Sequence, residues 1–325
     1  MQNTLNGLIR PQFRASVAAS VAPSEVRLTC GKVECSFSFA GIHHDAVKTL
    51  IANLVSGGHT VADMISNACL IADQIPPLLQ SFDQLRLLVE SDQSAPRAVM
   101  TGTQLYREVR RIAERVTRST AKSRFHRALM DQNACREQLV GYALEYYWIV
   151  KTAPGLIAPA LASAHSRRER ELLQAFLKSE LGHDRFLAKA LMTVGFSEAQ
   201  LEAHQPLPST FSLCASLGVY ARQHPLSFKA SLFLLEQAQP QFVDAFDDRC
   251  RMLGLPDGFF KPLRDHADLN SEFDHEDISR DLMTEIALVS GEEATVVKRH
   301  VALIIETLVQ QENEILDYYA IPLAA

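Results

Sequence analysis

The chain has 325 residues, of which 47% are hydrophobic and 22% charged, and its formal net charge is −6. This composition indicates a globular protein with one large or two moderate cores, and it excludes a disordered or fibrous chain. The six cysteines are scattered without a Cys-x-x-Cys pair, which argues against a disulfide framework or a zinc site. No apolar run reaches the roughly 18 residues of a membrane helix, and the N-terminus lacks the pattern of a secretion signal. We therefore expect a cytoplasmic protein without membrane contacts.

Residues 1–24 are polar and are expected to be loose. The following stretch, VRLTCGKVECSFSFAG, alternates β-forming residues around a Cys-Gly-Lys turn and predicts a hairpin. Three helices are expected next. The first ends at the Gly57-Gly58 pair, the second has Thr60 as its N-cap, and the third covers LLQSFDQLRLLVES. Residues 25–91 therefore have the size and element order of a small α+β winged-helix domain.

The turn between the first two of these helices reads GGHTVAD over residues 57–63. With two strands before it and helices on both sides, this turn resembles that of RiPP recognition elements, the winged-helix domains that bind precursor peptides in ribosomal peptide modification. The resemblance implies that the N-terminal domain binds a leader peptide. Small winged helices also bind DNA or mediate protein contacts, so these alternatives stay open.

Residues 92–130 are interpreted as a linker followed by a basic helix. The segment from Arg97 to Arg127 carries nine Lys and Arg residues against two acids, Glu108 and Glu114. A solvated helical face and a binding surface for an acidic peptide or a phosphate backbone both fit this pattern. No aromatic residues are interleaved with the charges, so nucleic acid is not expected as the main partner.

Residues 131–325 are expected to form a helical domain, which makes the protein mainly α. Apolar periodicity predicts six long helices, at 133–152, 166–194, 209–223, 226–252, 258–283 and 292–319. The breaks between them contain Pro or Gly, and the first break is expected at Pro154-Gly155. No strand-like alternation, dinucleotide motif, phosphate-binding loop or hydrolase motif occurs here.

Acidic residues of this domain stand in a pattern that favours a dinuclear metal site. Glu180 and His183 are three residues apart among strong helix formers, which predicts a carboxylate and an imidazole on one helical face. Glu145 in YALEYYWIV and Glu236 in SLFLLEQA lie on stretches that are apolar nearly all round, where a carboxylate needs a metal or an arginine as partner. Two Glu-x-x-His pairs with two lone glutamates form a dinuclear carboxylate site. Such a ligand set suits iron or manganese better than zinc.

The second Glu-x-x-His pair falls in DHADLNSEFDHED, where the helical register is ambiguous. Asp268, Glu272 and His275 share one face at i, i+4 and i+7. The competing face carries His266, followed at the same spacing by an asparagine and a phenylalanine. Because only the first set supplies three ligands, Asp268, Glu272 and His275 are the predicted ligands and His266 is the reserve.

From about residue 133 to 319, the sequence resembles the heme-oxygenase-like diiron oxidases, which are grouped with iron-containing redox enzymes and share the TenA and PqqC fold. The resemblance rests on Glu145, on Glu180-Leu-Gly-His183, on the following ALMTVGFSEAQL, on Glu236 and on the acid- and histidine-containing helix after LPDGFF. Members commonly show His-x-x-x-Asp-x-x-His in that helix. Here Asp268 replaces the first histidine of that pattern.

This resemblance implies a heme-oxygenase-like multi-helix bundle that holds two Fe(II) ions per chain and uses O2 as co-substrate. The expected activity is that of an oxidase or oxygenase acting on a small amino-acid-like substrate, or on a precursor peptide bound through the N-terminal domain. Two alternatives stay open. One is a metal-free TenA- or PqqC-like enzyme, and the other is a winged-helix nucleic-acid-binding regulator with a helical sensor domain. A homodimer is also left open.

Overall fold

The structure, a computed structural model, describes residues 8–31, 33–92, 99–119, 122–236, 239–272 and 277–320, with only the backbone of residues 119 and 268–272. The chain is mainly helical, as predicted, with a small α+β region near its N-terminus. It divides into two compact units, but not at a single point of the chain. The first unit contains the residues up to Leu105 together with His165–Arg167 and Met283–Val296, and the second contains the rest.

The first unit contains a three-stranded antiparallel sheet with the order β2 (Ala18–Val21), β3 (Glu25–Cys30) and β4 (Val33–Ser38). Strands β3 and β4 form the predicted hairpin. A second antiparallel pair joins β1 (Pro11–Phe13) to β5 (Leu88–Glu90). The expectation that residues 1–24 are loose is therefore wrong for their described part, because two strands there pair with later segments.

The first helices of this unit follow the predicted boundaries. Helix α1 (His44–Ser56) ends at Gly57, which adopts a φ of +65°. Helix α2 (Val61–Asn67) begins after Thr60, whose side chain accepts a hydrogen bond from the amide of Asp63 while the Asp63 carboxylate accepts one from the amide of Thr60. This capping box satisfies two backbone donors that a helix start otherwise leaves unpaired. The predicted N-cap is thus confirmed.

The third helix of this unit is shorter than predicted. After a 3-10 helix at Cys69–Gln74, helix α3 covers Ile75–Gln84. Arg86 then adopts a φ of +57°, which a helix does not allow, and the chain continues into β5. A two-residue strand β6 (Val99–Met100) pairs with β7 (Val289–Ser290), a strand that the sequence did not predict.

The second unit is built from helices. In chain order they are α4 (Gly102–Ser119), α5 (Arg124–Met130), α6 (Arg136–Ala162), α7 (Arg167–Glu180), α8 (His183–Met192), α9 (Glu198–Ala203), α10 (Pro208–Gln223), α11 (Pro225–Ser231), α12 (Phe233–Glu236), α13 (Pro240–Met252), α14 (Asp257–Glu272), α15 (Ile278–Thr284) and α16 (Gly291–Tyr318). The starts of α4, α7 and α16 and the last two residues of α15 belong to the first unit. Helix α6 packs against α8, α10 and α13, and α14 packs against α8 and α13. Among the described residues, no helix combines the length and hydropathy that crossing a membrane requires.

Several predicted helix limits differ from those observed. Helix α6 does not stop at Pro154-Gly155 but continues through Pro154 and Pro159. The packing of Ile157 and Ala160, which are both buried, offsets the backbone hydrogen bonds that the prolines remove. Conversely, the segments predicted as single helices at 166–194 and 226–252 are each divided into shorter helices. The segment predicted as a helix at 258–283 contains residues 273–276, which lie outside the described residues.

Candidate metal centre

Glu180, His183 and His266 come together in the second unit. One ligand atom from each lies within 4.8 Å of the corresponding atoms of the other two. The three residues are buried, and none is more than 8% exposed. Within the part of the chain that the structure describes, this is the one group of three His, Cys, Asp or Glu residues that could hold a metal ion.

The helix break at Gly182 sets the geometry of the first two residues. Glu180 is the last residue of α7 and His183 the first of α8. Between them, Gly182 has a φ of +90°, in the left-handed region that glycine adopts most easily. The sequence predicted one continuous helix here, so the reason given for their proximity was wrong. The pair is nevertheless close, with Nδ1 of His183 lying 3.6 Å from Oε2 of Glu180.

His266 comes from α14 and is held from behind by a tyrosine of α6. The hydroxyl of Tyr146 lies 2.8 Å from Nδ1 of His266, and the two rings meet edge to face. The His266 ring also lies edge to face with that of His183, with their centroids 4.8 Å apart. Because Tyr146 engages Nδ1, the other ring nitrogen, Nε2, is the atom available to a metal.

Tyr146 stays a neutral phenol at any ordinary pH. Burial raises its pKa well above the usual value, and the nearby Tyr142, Glu236 and Glu180 raise the pKa further. A neutral phenol can accept a hydrogen bond from an imidazole N–H while remaining a donor itself. Tyr146 can therefore fix the ring orientation of His266 without adding a charge.

The side chains of this group fit an iron ion. Two imidazoles and one carboxylate are the donor set typical of non-heme Fe(II) oxygenases. Bonds of roughly 2.0–2.2 Å to nitrogen and oxygen place two ligands of one ion at most about 4.4 Å apart. Separations of up to 4.8 Å are therefore wider than one bound ion allows, so the three side chains would have to move closer together to bind it.

Glu236, a predicted ligand at the end of α12, lines the same cavity as this group. The cavity has a volume of about 190 Å³ and is bordered by Glu180, His266 and Tyr146 on the side of the group. Glu236 is 8% exposed. It therefore lies within the same pocket, although it is not one of the three residues whose ligand atoms cluster.

Glu145 is not brought into this group. Its carboxylate is fully buried and accepts hydrogen bonds from the amide of Leu207 at 3.0 Å and the hydroxyl of Tyr319 at 2.8 Å. Nε2 of His204 lies 3.4 Å away. Burial alone would raise the pKa of Glu145, but the hydrogen bonds outweigh it and the pKa is lowered. The sequence correctly predicted a buried carboxylate that needs a partner; the described partners are Leu207, Tyr319 and His204, and the ligand role of Glu145 stays a prediction.

The predicted set of Asp268, Glu272 and His275 falls outside the described side chains, so the structure does not test it. Asp268 and Glu272 belong to the helix, but their side chains lie outside the described residues, as does the whole of His275. At 100° per residue, positions 268 and 272 lie about 200° and 240° around the axis from His266. Since His266 faces the group, these positions occupy the other side of α14. The reserve residue His266 is thus the one that the described structure brings to Glu180 and His183, and the roles of Asp268, Glu272 and His275 stay predictions.

The buried face of α14 gives a signal that could have identified His266 from the sequence. Phe259 and Leu263 are buried at i and i+4, and His266 follows at i+7 on the same face. Counting potential ligands favoured Asp268, whereas following the apolar periodicity favours His266. The sequence gives no comparable signal for Tyr146, because no local spacing links it to a histidine 120 positions away.

A smaller cavity of about 130 Å³ adjoins the first and shares Tyr142, Tyr146 and Glu236 with it. Arg264 lines this second cavity. Its guanidinium donates to Asp247 at 2.5 Å and to Asp244 at 2.8 Å, so its charge is balanced by two carboxylates.

Comparison with known proteins identifies the fold and family. Over 68% of this chain and 93% of the other, the structure is similar to a domain of unknown function with a heme oxygenase-like fold from Shewanella denitrificans, at 17% identity and a TM-score of 0.52. A TenA homolog from Pseudomonas syringae matches at 12% identity with a TM-score of 0.49, over 66% of this chain and 91% of that one. No curated protein matches the sequence. The family model described as iron-containing redox enzyme matches residues 140–307, which is 168 of 325 residues. The helical region thus has a heme oxygenase-like fold, and the chain belongs to the family of iron-containing redox enzymes.

Proposed function

We propose that this protein is a non-heme iron oxidase or oxygenase that uses O2 and holds iron at Glu180, His183 and His266. The observation that carries the proposal is the buried group of two imidazoles and one carboxylate beside a cavity that Glu180 and His266 line. Membership of the iron-containing redox enzymes supports iron as the metal. When bound, iron supplies the one-electron and O2 chemistry that amino acid side chains lack.

The side chains around the group have separate tasks in this proposal. Tyr146 holds the His266 ring so that Nε2 points to the metal position. Gly182 lets the chain reverse between the helices that carry Glu180 and His183. The apolar lining, which includes Phe176 and Leu235, excludes bulk water from the substrate position. The protein thus orients the ligands and keeps the reaction chamber dry.

The expected second iron has less support than the first. Glu236 is the described carboxylate that a second ion could share with Glu180. On the His266 face of α14, the next position at i+4 is Asn270, a weaker ligand than a carboxylate or an imidazole. We therefore propose one tightly bound iron per chain, with any second ion bound more weakly.

Metal analysis after anaerobic Fe(II) loading tests the proposal. Wild-type protein should retain about one iron per chain after desalting and consume O2, and Glu180→Ala should lose the iron. Two equally retained ions would support the dinuclear alternative instead. Retention of no iron, with an intact fold by circular dichroism, would favour a metal-free TenA- or PqqC-like enzyme.

We further propose that the N-terminal unit presents the enzyme with a peptide substrate. Strand β4 lies at an edge of the three-stranded sheet, and Val33, Glu34, Ser36 and Ser38 are exposed along it. An extended peptide can add to such an edge through main-chain hydrogen bonds. Peptide binding should slow amide hydrogen exchange in β4 but not in β2, the opposite edge of the same sheet. Equal protection of both edges, or of neither, would contradict this mode.

The nucleic-acid alternative has one supporting feature. Arg107, Arg111, Arg115 and Arg118 are exposed on α4 at helical spacing. A regulator that used these side chains should bind DNA with an affinity that falls steeply with salt. Salt-independent or undetectable binding to duplex DNA would exclude this reading.

A further inference from the structure

The cavity next to the metal group is elongated. Helix α6 lines it from Tyr142 to Ile157. At a rise of about 1.5 Å per residue, these positions span about 22 Å along the helix axis. The volume of about 190 Å³ exceeds that of the roughly 150 Å³ apolar cavities that accept benzene. The space therefore suits a narrow molecule that is longer than one aromatic ring.

The two ends of the cavity differ in polarity. Near Tyr142 and Tyr146 lie His266 and the polar side chains Glu236, Gln239 and Glu312, which line the adjoining smaller cavity together with these tyrosines. At the Ile157 end the lining is aliphatic or aromatic, and Ile157, Leu217 and Phe228 belong to one hydrophobic cluster. A ligand that fills both ends must itself carry a polar head and an apolar body.

The charges on the lining have one sign. Glu180, Glu236 and Glu312 contribute carboxylates, whereas no lysine or arginine is among the described lining residues. The proposed iron site uses Glu180 and has Glu236 at its side, which leaves Glu312 for another cation. In the adjoining smaller cavity, the charge of Arg264 is already matched by Asp244 and Asp247.

Glu312 is positioned to bind a cation. Helix α16 presents Leu308, Gln311 and Glu312 to the cavity from one face. Ser123 donates a hydrogen bond to the Glu312 carboxylate. Burial raises the pKa of Glu312, and the hydrogen bond from Ser123 only partly opposes this. A cationic partner would stabilise the ionised carboxylate in this environment.

We propose that the cavity binds a molecule with a protonated amine at one end and an elongated apolar body, and that Glu312 receives the amine. The apolar body extends along α6 towards Ile157. This inference rests on the proposed function, since it names the substrate class of the same site. A fatty acid of equal length is disfavoured at this position, because its carboxylate would face the Glu312 carboxylate, which iron does not offset, and no lysine or arginine among the described lining residues.

Calorimetric titration of the Fe(II)-loaded full chain under argon tests the inference. The probes are n-octylamine, octanoate and 1-octanol, which share a chain but differ in head-group charge. Octylamine should bind at least about 10-fold more tightly than the other two. Glu312→Gln should weaken octylamine binding about 10- to 100-fold and leave octanol binding and iron content unchanged. The matched control is Glu306→Gln, on the exposed face of the same helix, which should change nothing.

Chain length tests the apolar end separately. From butylamine to octylamine, each methylene should tighten binding about fourfold, as expected for burial of a CH2 group. Ala153→Phe, which places a ring at the apolar end, should weaken octylamine binding more than butylamine binding.

Two results would overturn the inference: tighter or equal binding of octanoate, or the same octylamine affinity in Glu312→Gln and wild type. Repeating the titration on metal-free protein separates this inference from the proposed function. If the wild-type protein binds no iron but Glu312→Gln still weakens octylamine binding, the iron site is refuted and the amine pocket is retained.

Discussion

The hydroxyl of Tyr146 and Nδ1 of His266 lie 2.8 Å apart, although the two residues are 120 positions apart in the sequence. This contact links α6 to α14 directly behind the candidate metal centre. It determines which nitrogen of His266 faces Glu180 and His183, and it restricts rotation of the ring. The affinity for iron should therefore depend on a residue that does not itself bind the metal.

Tyr146→Phe should weaken iron binding about 10- to 100-fold, because it removes the hydroxyl that orients His266. Competition with a chelator of known affinity measures the change. Tyr142→Phe is the matched control, since Tyr142 stacks on Tyr146 with ring centroids 6.1 Å apart and lines the same cavity. An equal loss of iron affinity in both variants would mean that the two tyrosine hydroxyls contribute alike and that the contact between Tyr146 and His266 has no special role.

His266→Ala should abolish tight iron binding, whereas Asp268→Ala should retain it. The reason is the register of α14, in which position 268 lies about 200° from position 266. Iron content after desalting, with circular dichroism to confirm the fold, separates the two variants. The reverse result would restore the ligand set of Asp268, Glu272 and His275 that the sequence favoured.

Gly182→Ala should both destabilise the protein and lower its affinity for iron. A Cβ at this position would meet no atom within 4 Å, so the cost comes from the φ of +90° alone. That cost is roughly 1–2 kcal/mol, measurable by urea unfolding. Gly155→Ala is the control, because Gly155 lies inside α6 and its added Cβ also meets nothing within 4 Å. There the substitution should instead stabilise by about 0.5–1 kcal/mol.

Glu145→Gln should lower the free energy of unfolding by roughly 3 kcal/mol without loss of iron, because it disturbs a buried set of charge-assisted hydrogen bonds. The pKa of Glu145 is lowered on folding from its ordinary value of 4.5. Its ionised form therefore contributes stability that is fully present above about pH 4.5 and is lost as the pH falls through the lower folded-state pKa. The difference between wild type and variant in urea unfolding should accordingly shrink on acidification. Loss of iron from Glu145→Gln at neutral pH would instead support the predicted ligand role.

Glu169→Gln should destabilise the protein by roughly 3–5 kcal/mol, since it leaves the charge of Lys229 buried with a neutral partner. The two groups are 2.9 Å apart and each is 2% exposed. The double variant Glu169→Leu with Lys229→Met should lose less stability than the single variant Glu169→Gln, because no buried charge is left. Urea unfolding midpoints measure both losses. The exposed pair of Lys261 and Asp257 provides the control, because Lys261→Met should leave the midpoint unchanged.

Local signals in the sequence predicted the elements whose causes are local. The N-cap at Thr60 and the stop of α1 at Gly57 follow from residues within one turn. Strand β1 was missed because its partner, β5, lies far along the chain, and nothing near Pro11 reveals that pairing. Pro154 was expected to end a helix, but the packing of α6 outweighed this local preference.

For the site, residue spacing predicted which side chains come together better than it predicted the helices and hydrogen bonds that position them. Glu180 and His183 were found by their spacing, yet the two belong to different helices separated by Gly182. His266 was placed second because ligand counting outweighed the apolar periodicity of α14. Hydrogen-bond partners far away in the sequence, such as Tyr319 for Glu145, are set by tertiary packing, which spacing does not encode.

Glu145 and Tyr146 are neighbours on α6 that serve two different networks. The Glu145 carboxylate accepts hydrogen bonds from Leu207 and Tyr319, whereas the Tyr146 hydroxyl forms a hydrogen bond with His266. A rotation or shift of this helix would disturb both networks at once. Mutations that improve packing around Glu145 are therefore expected to alter the candidate metal centre as well. Attempts to evolve a more heat-resistant variant should meet a trade-off along this helix that substitutions elsewhere avoid.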